Sequence, residues 1–287
     1  YVRARNGEGK VSDWSRNPVS FHTLCAAFAI DADNWYVEDF ESYENYATAL
    51  GCLVQSYGGS YNYRIATSME YYDGSSYSYV KKYPAQGTNM AYLGSANNSW
   101  LFRAVELKAG QNYSISVDAL EASTYYEAKL MFGIASTPDK SSVETFLSGY
   151  VLPDCSDWER VTGYFTVPAD GVYYVGVGIA YGGSTIGIDS LVIRTESVIP
   201  PTVNITELTD SKVSFELTSN ASYWEMYYST SKFDADTIPA ESVILVENLT
   251  YAIENLQSNT TYYYAFRSYD EEDNASSWTA VGSFHTE

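Results

Sequence analysis

Residues 157–194 read DWERVTGYFTVPADGVYYVGVGIAYGGSTIGIDSLVIR, and this stretch decides the fold class. Three runs rich in Val, Ile, Tyr and Phe occupy Tyr164–Val167, Gly171–Ala180 and Ile186–Arg194, with Pro168-Ala169-Asp170-Gly171 and Gly182-Gly183 as turn punctuation. In the middle run Val172, Tyr174, Gly176 and Gly178 alternate with Tyr173, Val175, Val177 and Ile179. Both parities are largely apolar, so the strand is expected to be covered on both faces, as in a β-sandwich. Asp189, between Ile188 and Leu191, is out of character there. A buried carboxylate without partners is too costly to keep, so Asp189 must find a cation or several hydrogen-bond donors.

Charge narrows the partners. The chain has 287 residues, 16 Lys+Arg against 36 Asp+Glu, and a formal net charge of −20. Nucleic acid and anionic membrane surfaces would repel it, whereas divalent cations would find free carboxylates. No apolar run reaches the ~20 residues of a membrane span, which argues against membrane insertion. The 29 tyrosines fit an extracellular β-module that contacts glycan or protein. Three cysteines, Cys25, Cys52 and Cys155, match no zinc spacing, so either all three are free thiols or one pair is bridged.

An internal repeat sets the domain boundaries. Residues 1–23 read YVRARNGEGKVSDWSRNPVSFHT and residues 263–286 read YYAFRSYDEEDNASSWTAVGSFHT. Each gives a strand with an Arg, a polar turn, a Trp (Trp14, Trp278), and a strand ending Ser-Phe-His-Thr. The same supersecondary unit therefore occurs twice. Residues 1–25 are expected to be the last hairpin of a truncated domain. Residues 198–287 are expected to form a complete one after the stiff Ile199-Pro200-Pro201 linker. Its seven strands are placed at 202–208, 212–217, 222–229, 243–245, 251–254, 261–269 and 280–285, the count of a small sandwich.

Between them, residues 26–197 carry strand patterns at 37–41, 90–93, 100–106, 111–119, 127–136, 160–166, 172–180 and 189–194, with turn signals between. Eight strands is the jelly-roll number. Residues 41–50 and 141–146 are marginal helix candidates.

Two families share these motifs. Leu256-Gln257-Ser258-Asn259-Thr260-Thr261-Tyr262 resembles the Leu-x-Pro-x-Thr-x-Tyr tyrosine corner of fibronectin type III domains, with Ser258 in place of Pro. That family's second-strand Trp is missing, leaving Phe215 or Leu217 to fill its place. In the middle segment the order is Glu38-Asp39-Phe40-Glu41, then Gly87-Thr88-Asn89-Met90-Ala91-Tyr92-Leu93, then residues 105–116 (VELKAGQNYSIS). Trp158-Glu159-Arg160, residues 167–176 (VPADGVYYVG) and Gly187-Ile188-Asp189-Ser190-Leu191 follow. This resembles the cleaved-adhesin or hemagglutinin-type domains of Bacteroidetes surface proteins and, more distantly, jelly-roll carbohydrate-binding and MAM-type modules. The expected fold is all-β: a jelly-roll β-sandwich followed by a fibronectin type III sandwich, with a partial fibronectin hairpin at the N-terminus.

The first candidate site is a Ca²⁺ centre. Period-two spacing puts Asp39 and Glu41 on one face of the first strand. Asp189 joins them if the terminal strands of the sandwich are neighbours. Ca²⁺ takes 6–8 hard oxygens, to which the 87–89 turn would add carbonyls and the Asn89 amide. The resemblance itself implies a structural calcium held by a first-strand Glu and a last-strand Asp, matching Glu41 and Asp189. The segment Asp31-Ala32-Asp33-Asn34 is no EF-hand, because Tyr36 and Ser42 replace the required Gly and Glu.

The second candidate is a glycan surface using Trp35, Tyr36, Trp100, Tyr125, Tyr126 or Tyr181, with Trp158 assigned to the core. Catalysis is disfavoured. The two histidines, His22 and His285, fall at equivalent repeat positions, and the Asp154, Asp157, Glu159 cluster is unremarkable among 36 acids. Asp236-Thr237-Ile238 fits the short O-glycosylation pattern of the resembled group. The reading is a non-catalytic extracellular or cell-surface module of a longer protein, stabilised by calcium, that binds glycan or extracellular protein. The alternatives are an accessory region of a polysaccharide-degrading enzyme and a purely structural repeat.

Overall fold

The computed structural model describes residues 10–11, 25–56, 63–72, 79–93, 99–121, 129–152, 157–180, 186–219 and 221–287. Among them the regular elements are strands and short 3-10 turns. The expected hairpin of residues 1–25 lies almost wholly outside the described residues.

The first sandwich contains β1 (Phe28–Ala29), β2 (Tyr36–Glu38), β3 (Leu53–Ser56), β4 (Tyr63–Ala66), β5 (Met69–Tyr72), β6 (Tyr79–Lys82) and β7 (Met90–Leu93). It continues with β8 (Ser99–Leu107), β9 (Asn112–Glu121), β10 (Lys129–Ala135), β11 (Val143–Val151), β12 (Glu159–Thr166), β13 (Gly171–Ala180) and β14 (Ile186–Glu196). One sheet runs β1-β8-β13-β10-β11, with β3 also on β8; the other runs β12-β9-β14-β7-β4, with β2 also on β14; β5 and β6 pair with each other as a separate two-stranded ribbon. Val105, Leu107, Val175, Val177, Leu130 and Phe132 of the first sheet face Tyr113, Ile115, Val161, Ile188, Leu191 and Ile193 of the second in one buried cluster.

The second parity of β13 explains its glycines. Gly176 pairs with Phe102 and Gly178 with Trp100, and both rings lie flat on the sheet. A Cβ at Gly178 would stand 2.6 Å from the Trp100 ring, and one at Gly176 2.5 Å from Phe102. The two rings are nearly parallel, 5.6 Å apart, and join Met131 and Ala135 in a separate buried cluster on the far face of the sheet.

The helix candidates give way to other structure. Residues 41–50 form turns. Lys140–Ser142 make one 3-10 turn, and β11 then pairs antiparallel with β10 from Ala135↔Val143 to Lys129↔Val151. So short a helix has no stability of its own against nine residues of sheet pairing.

The second sandwich contains β15 (Thr202–Leu208), β16 (Lys212–Thr218), β17 (Tyr223–Ser229), β18 (Ile244–Val246), β19 (Thr250–Glu254), β20 (Thr261–Tyr269) and β21 (Gly282–His285). Its sheets, β15-β16-β19 and β18-β17-β20-β21, enclose a core of Val213, Phe215, Leu217, Trp224, Met226, Phe266 and Phe284. Phe215 and Leu217 fill the interior from β16, as expected, and Trp224 joins them from β17. The Tyr262 hydroxyl accepts the Gln257 N–H at 2.9 Å, which closes the tyrosine corner.

The segment leading into the first sandwich is tied down. Cys25 and Cys52 form a disulfide with Cα atoms 5.4 Å apart. The buried Arg103 guanidinium donates to the carbonyls of Cys52 and Ala26 and lies over the Tyr36 ring. Cys155 lies outside the described residues.

Candidate functional site

The conspicuous acids gather at a seam on one edge of β14. Residues Ile186–Ile188 pair with β7, and Leu191–Ile193 pair with β2. The first and last major strands are therefore neighbours. Between these pairings, the register of β14 against β9 shifts between Asp189 and Val192. A bulge of this kind re-aims side chains.

Three segments meet there: the exit from β2, the turn into β7, and the bulge of β14. Each contributes one residue with left-handed backbone, Phe40 (φ 60°), Gly87 (φ 62°) and Ser190 (φ 49°). Such residues outside glycine carry strain of about 1–3 kcal/mol and persist only where the surroundings enforce them. Phe40 is enforced by complete burial in the core. Gly87 is required twice over, because a Cβ there would sit 2.4 Å from Glu41 Oε1.

Glu41 reaches across to the turn. The Thr88 N–H donates to Oε1 at 2.9 Å, the Thr88 hydroxyl to Oε2 at 2.7 Å, and the Asn89 N–H to Oε1 at 2.8 Å. These donors, the Thr88 hydroxyl foremost, hold the Glu41 carboxyl below the ordinary carboxylate range. Asn89 secures the other side, its side-chain amide donating to the carbonyls of Tyr43 (3.0 Å) and Phe40 (3.4 Å).

Asp189 is only 1% exposed. It accepts the Gln86 N–H at 2.9 Å and the Ser190 N–H at 2.7 Å. Burial pushes its carboxyl above the ordinary range, and the nearby charges of Asp118 and Glu41 add to this against the two amide bonds. Among the described residues no Lys or Arg forms an ion pair with Glu41 or Asp189; Arg160 is engaged with Asp118 at 3.0 Å.

Asp39 does not join them. The strand ends at Glu38, and the left-handed Phe40 turns the chain, so period-two spacing no longer relates Asp39 to Glu41. Asp39 is exposed and its Oδ1 accepts the Glu41 N–H at 3.1 Å. Among the described residues no group of three or more His, Cys, Asp or Glu stands together as a metal cluster. What meets at the seam is thus two carboxylates on one turn, Asp189 on the Gln86 N–H and Glu41 on those of Thr88 and Asn89. The sequence reading overlooked Glu38, which accepts the Tyr36 and Tyr43 hydroxyls and the Phe40 N–H, anchoring the turn from below.

The aromatic candidates divide. Trp35 is 51% exposed. Trp100, 1% exposed, is covered on the glycine floor and offers no face to a ligand. Tyr36 is also buried, edge-on to Phe28 and under Arg103. Tyr125, Tyr126 and Tyr181 lie outside the described residues. Trp158 belongs to a satellite cluster with Met69, Met90 and Leu120 instead of the main core, and its indole N–H donates to the Tyr83 carbonyl. Of the acids considered for catalysis, Glu159 accepts the Tyr150 hydroxyl at 2.6 Å, and Asp154 lies outside the described residues. His285 bonds Thr261 and Asn259 at an exposed strand end.

No family model matches the chain, and no curated protein matches it. Solved structures do. The chain is similar to the K2 cleaved adhesin domain of Lys-gingipain, with 12% identity over 57% of this chain and 100% of that one (TM-score 0.41). It is also similar to the CBM22-1 xylan-binding domain from Paenibacillus barcinonensis, with 13% identity over 59% of this chain and 97% of that one (TM-score 0.39). A human fibronectin type III domain matches 32% of this chain and 89% of its own length at 17% identity (TM-score 0.25).

Proposed function

We propose that the chain is a non-catalytic extracellular recognition module, in which the jelly roll contacts a glycan or an extracellular protein and the second sandwich carries and spaces it. One observation carries the reading. The acids that stand out in the sequence hold two terminal strands and a turn together, and His285 is occupied in strand-end hydrogen bonds, away from them. The Cys25–Cys52 bridge supports an oxidising, extracellular setting.

A structural Ca²⁺ at the seam belongs to this proposal. The donor set is all oxygen, and the buried Asp189 is met by two main-chain N–H groups and forms no ion pair among the described residues. Glu41, Asp189 and the Asn89 side-chain oxygen would hold the ion, with main-chain carbonyls and water completing its shell. When bound, the ion supplies a positive charge there.

Binding of the intact chain to a glycan array and to extracellular-matrix proteins, in calcium and in chelator, tests the proposal. Saturable binding to either class supports recognition, and its absence from both leaves a spacer. Trp35→Ala asks whether the exposed indole takes part.

A further inference from the structure

We propose that the edge of the jelly roll between β11 and β12 is a subsite for a neutral saccharide of one or two rings. The inference rests on the recognition reading and adds where the ligand sits and which ligands are refused.

Side chains bridge the two sheets along this edge, with the Tyr150 hydroxyl donating to Glu159 at 2.6 Å and Phe146 stacked on Phe165. Among the described residues β11 pairs with β10 alone and β12 with β9 alone, so each is the last strand of its sheet. Between them lies a cleft of about 480 Å³, within the range of small-molecule sites. Its apolar wall is the part-buried Phe146, backed at 4.8 Å by Phe165, which is itself buried in the core against Tyr113. Tyr173 also lines the cleft, its hydroxyl donating to the Ala169 carbonyl at 2.9 Å. Gly163 makes this packing possible, since a Cβ there would meet Phe132 at 2.7 Å and Phe146 at 3.0 Å. The polar lining residues are Ser136, Ser142, Glu144 and Thr166.

This combination selects the ligand. Apolar rings beside hydroxyls and a carboxylate suit a molecule with an apolar face and a ring of hydroxyls. The single charged lining residue is Glu144, so uronic acids and sulfated sugars meet repulsion with no cation to offset it. An added peptide strand would use these strand edges, but strand addition needs a flat one. The β10–β11 register shifts twice, between Leu130 and Phe132 and between Phe132 and Gly133, which bends β11.

The cleft is separate from the acid seam. Thr166 pairs with Asn112 and Asp189 with Asp118, so about 20 Å of β9 lies between them. Glu196 also pairs with Asn112, which places the cleft at the end where the chain leaves for the second sandwich.

The test is an amide NMR titration of the full chain. The probes are xylotetraose, cellotetraose and mannotetraose, a chondroitin sulfate tetrasaccharide, and an alternating Thr-Val peptide. The expected result is that a neutral tetrasaccharide shifts the amides of residues 134–136, 144–146 and 165–168, while the sulfated probe and the peptide do not. Glu144→Ala, at an exposed position, should weaken that binding about tenfold. Ser136→Trp should block it with the spectrum of the core unchanged. Shifts centred on Trp35 or the acid seam would overturn the cleft and leave the recognition reading intact. A response to the peptide alone, or to none of the neutral sugars, also overturns it.

Discussion

Both sandwiches close with the same six-residue device. In the first, the Lys108 N–H donates to the Tyr113 hydroxyl at 2.7 Å; in the second, the Gln257 N–H donates to the Tyr262 hydroxyl at 2.9 Å. Each Tyr stands six residues after a buried Leu, Leu107 and Leu256. The two modules differ in how they settle the hydrogen-bonded carboxylates Glu225, Glu41 and Asp189. In the second sandwich Glu225 receives Arg267 Nε at 2.7 Å, Arg267 Nη2 and the Tyr269 hydroxyl at 2.9 Å. The guanidinium is packed over the rings of Trp278 and Tyr269. In the first, Glu41 and Asp189 receive N–H groups and one hydroxyl, with no cation among the described residues. The second module answers its carboxylate with a guanidinium, whereas these two acids of the first are answered by amides and a hydroxyl.

Four experiments break or sharpen this contrast. The largest effect is expected from Gly87→Val. It places a side chain against Glu41 at a left-handed position and should cost the first sandwich about 3 kcal/mol or more, leaving the second unchanged. Denaturation followed by tryptophan fluorescence and by exchange at each core reads the two separately.

Arg267→Ala should lower the second sandwich by about 2 kcal/mol, since it strands a half-buried Glu225. The loss should be the same with calcium or with chelator. Tyr113→Phe and Tyr262→Phe should each cost about 1 kcal/mol, one hydrogen bond apiece. Equal losses would confirm that the corners are equivalent and that the contrast lies in the acids.

The smallest effect concerns pH. Asp189 titrates above the unfolded carboxylate range, so the folded state holds the extra proton in the window between its unfolded and folded values. In chelator its contribution to stability is therefore present below that window and lost as pH rises through it. Glu41, held low, acts in the opposite sense: its contribution is lost as pH falls through its folded value. With calcium bound, acidification should only weaken the first sandwich, because protons then compete with the ion. Melting curves across the carboxylate range, with calcium and in chelator, check the sign.

How far these features can be read from sequence follows from the same chemistry. In the second sandwich β16 is legible because it presents one buried parity, Val213, Phe215 and Leu217, while the largely exposed β15 is legible from its β-branched Thr, Val and Ile. β11 was hidden, since Val143-Glu144-Thr145-Phe146 has no clean period and becomes a strand only by pairing with β10. That Glu41 and Asp189 reach the same turn was legible from the adjacency of the terminal strands. The exclusion of Asp39 was not, because a left-handed Phe40 leaves no mark in a pattern of side chains. The burial of Trp100 depends on glycines in another strand, and the Phe146–Phe165 cleft joins two edges that no local motif connects.

The most direct test is amide hydrogen exchange on the intact chain, with calcium chloride and with EDTA, read strand by strand. The account predicts that calcium raises protection in β9 and β14, where the bulge and its acids sit, and leaves β17 and β20 unchanged. Identical exchange in both conditions, or an equal response from the two sandwiches, would contradict it.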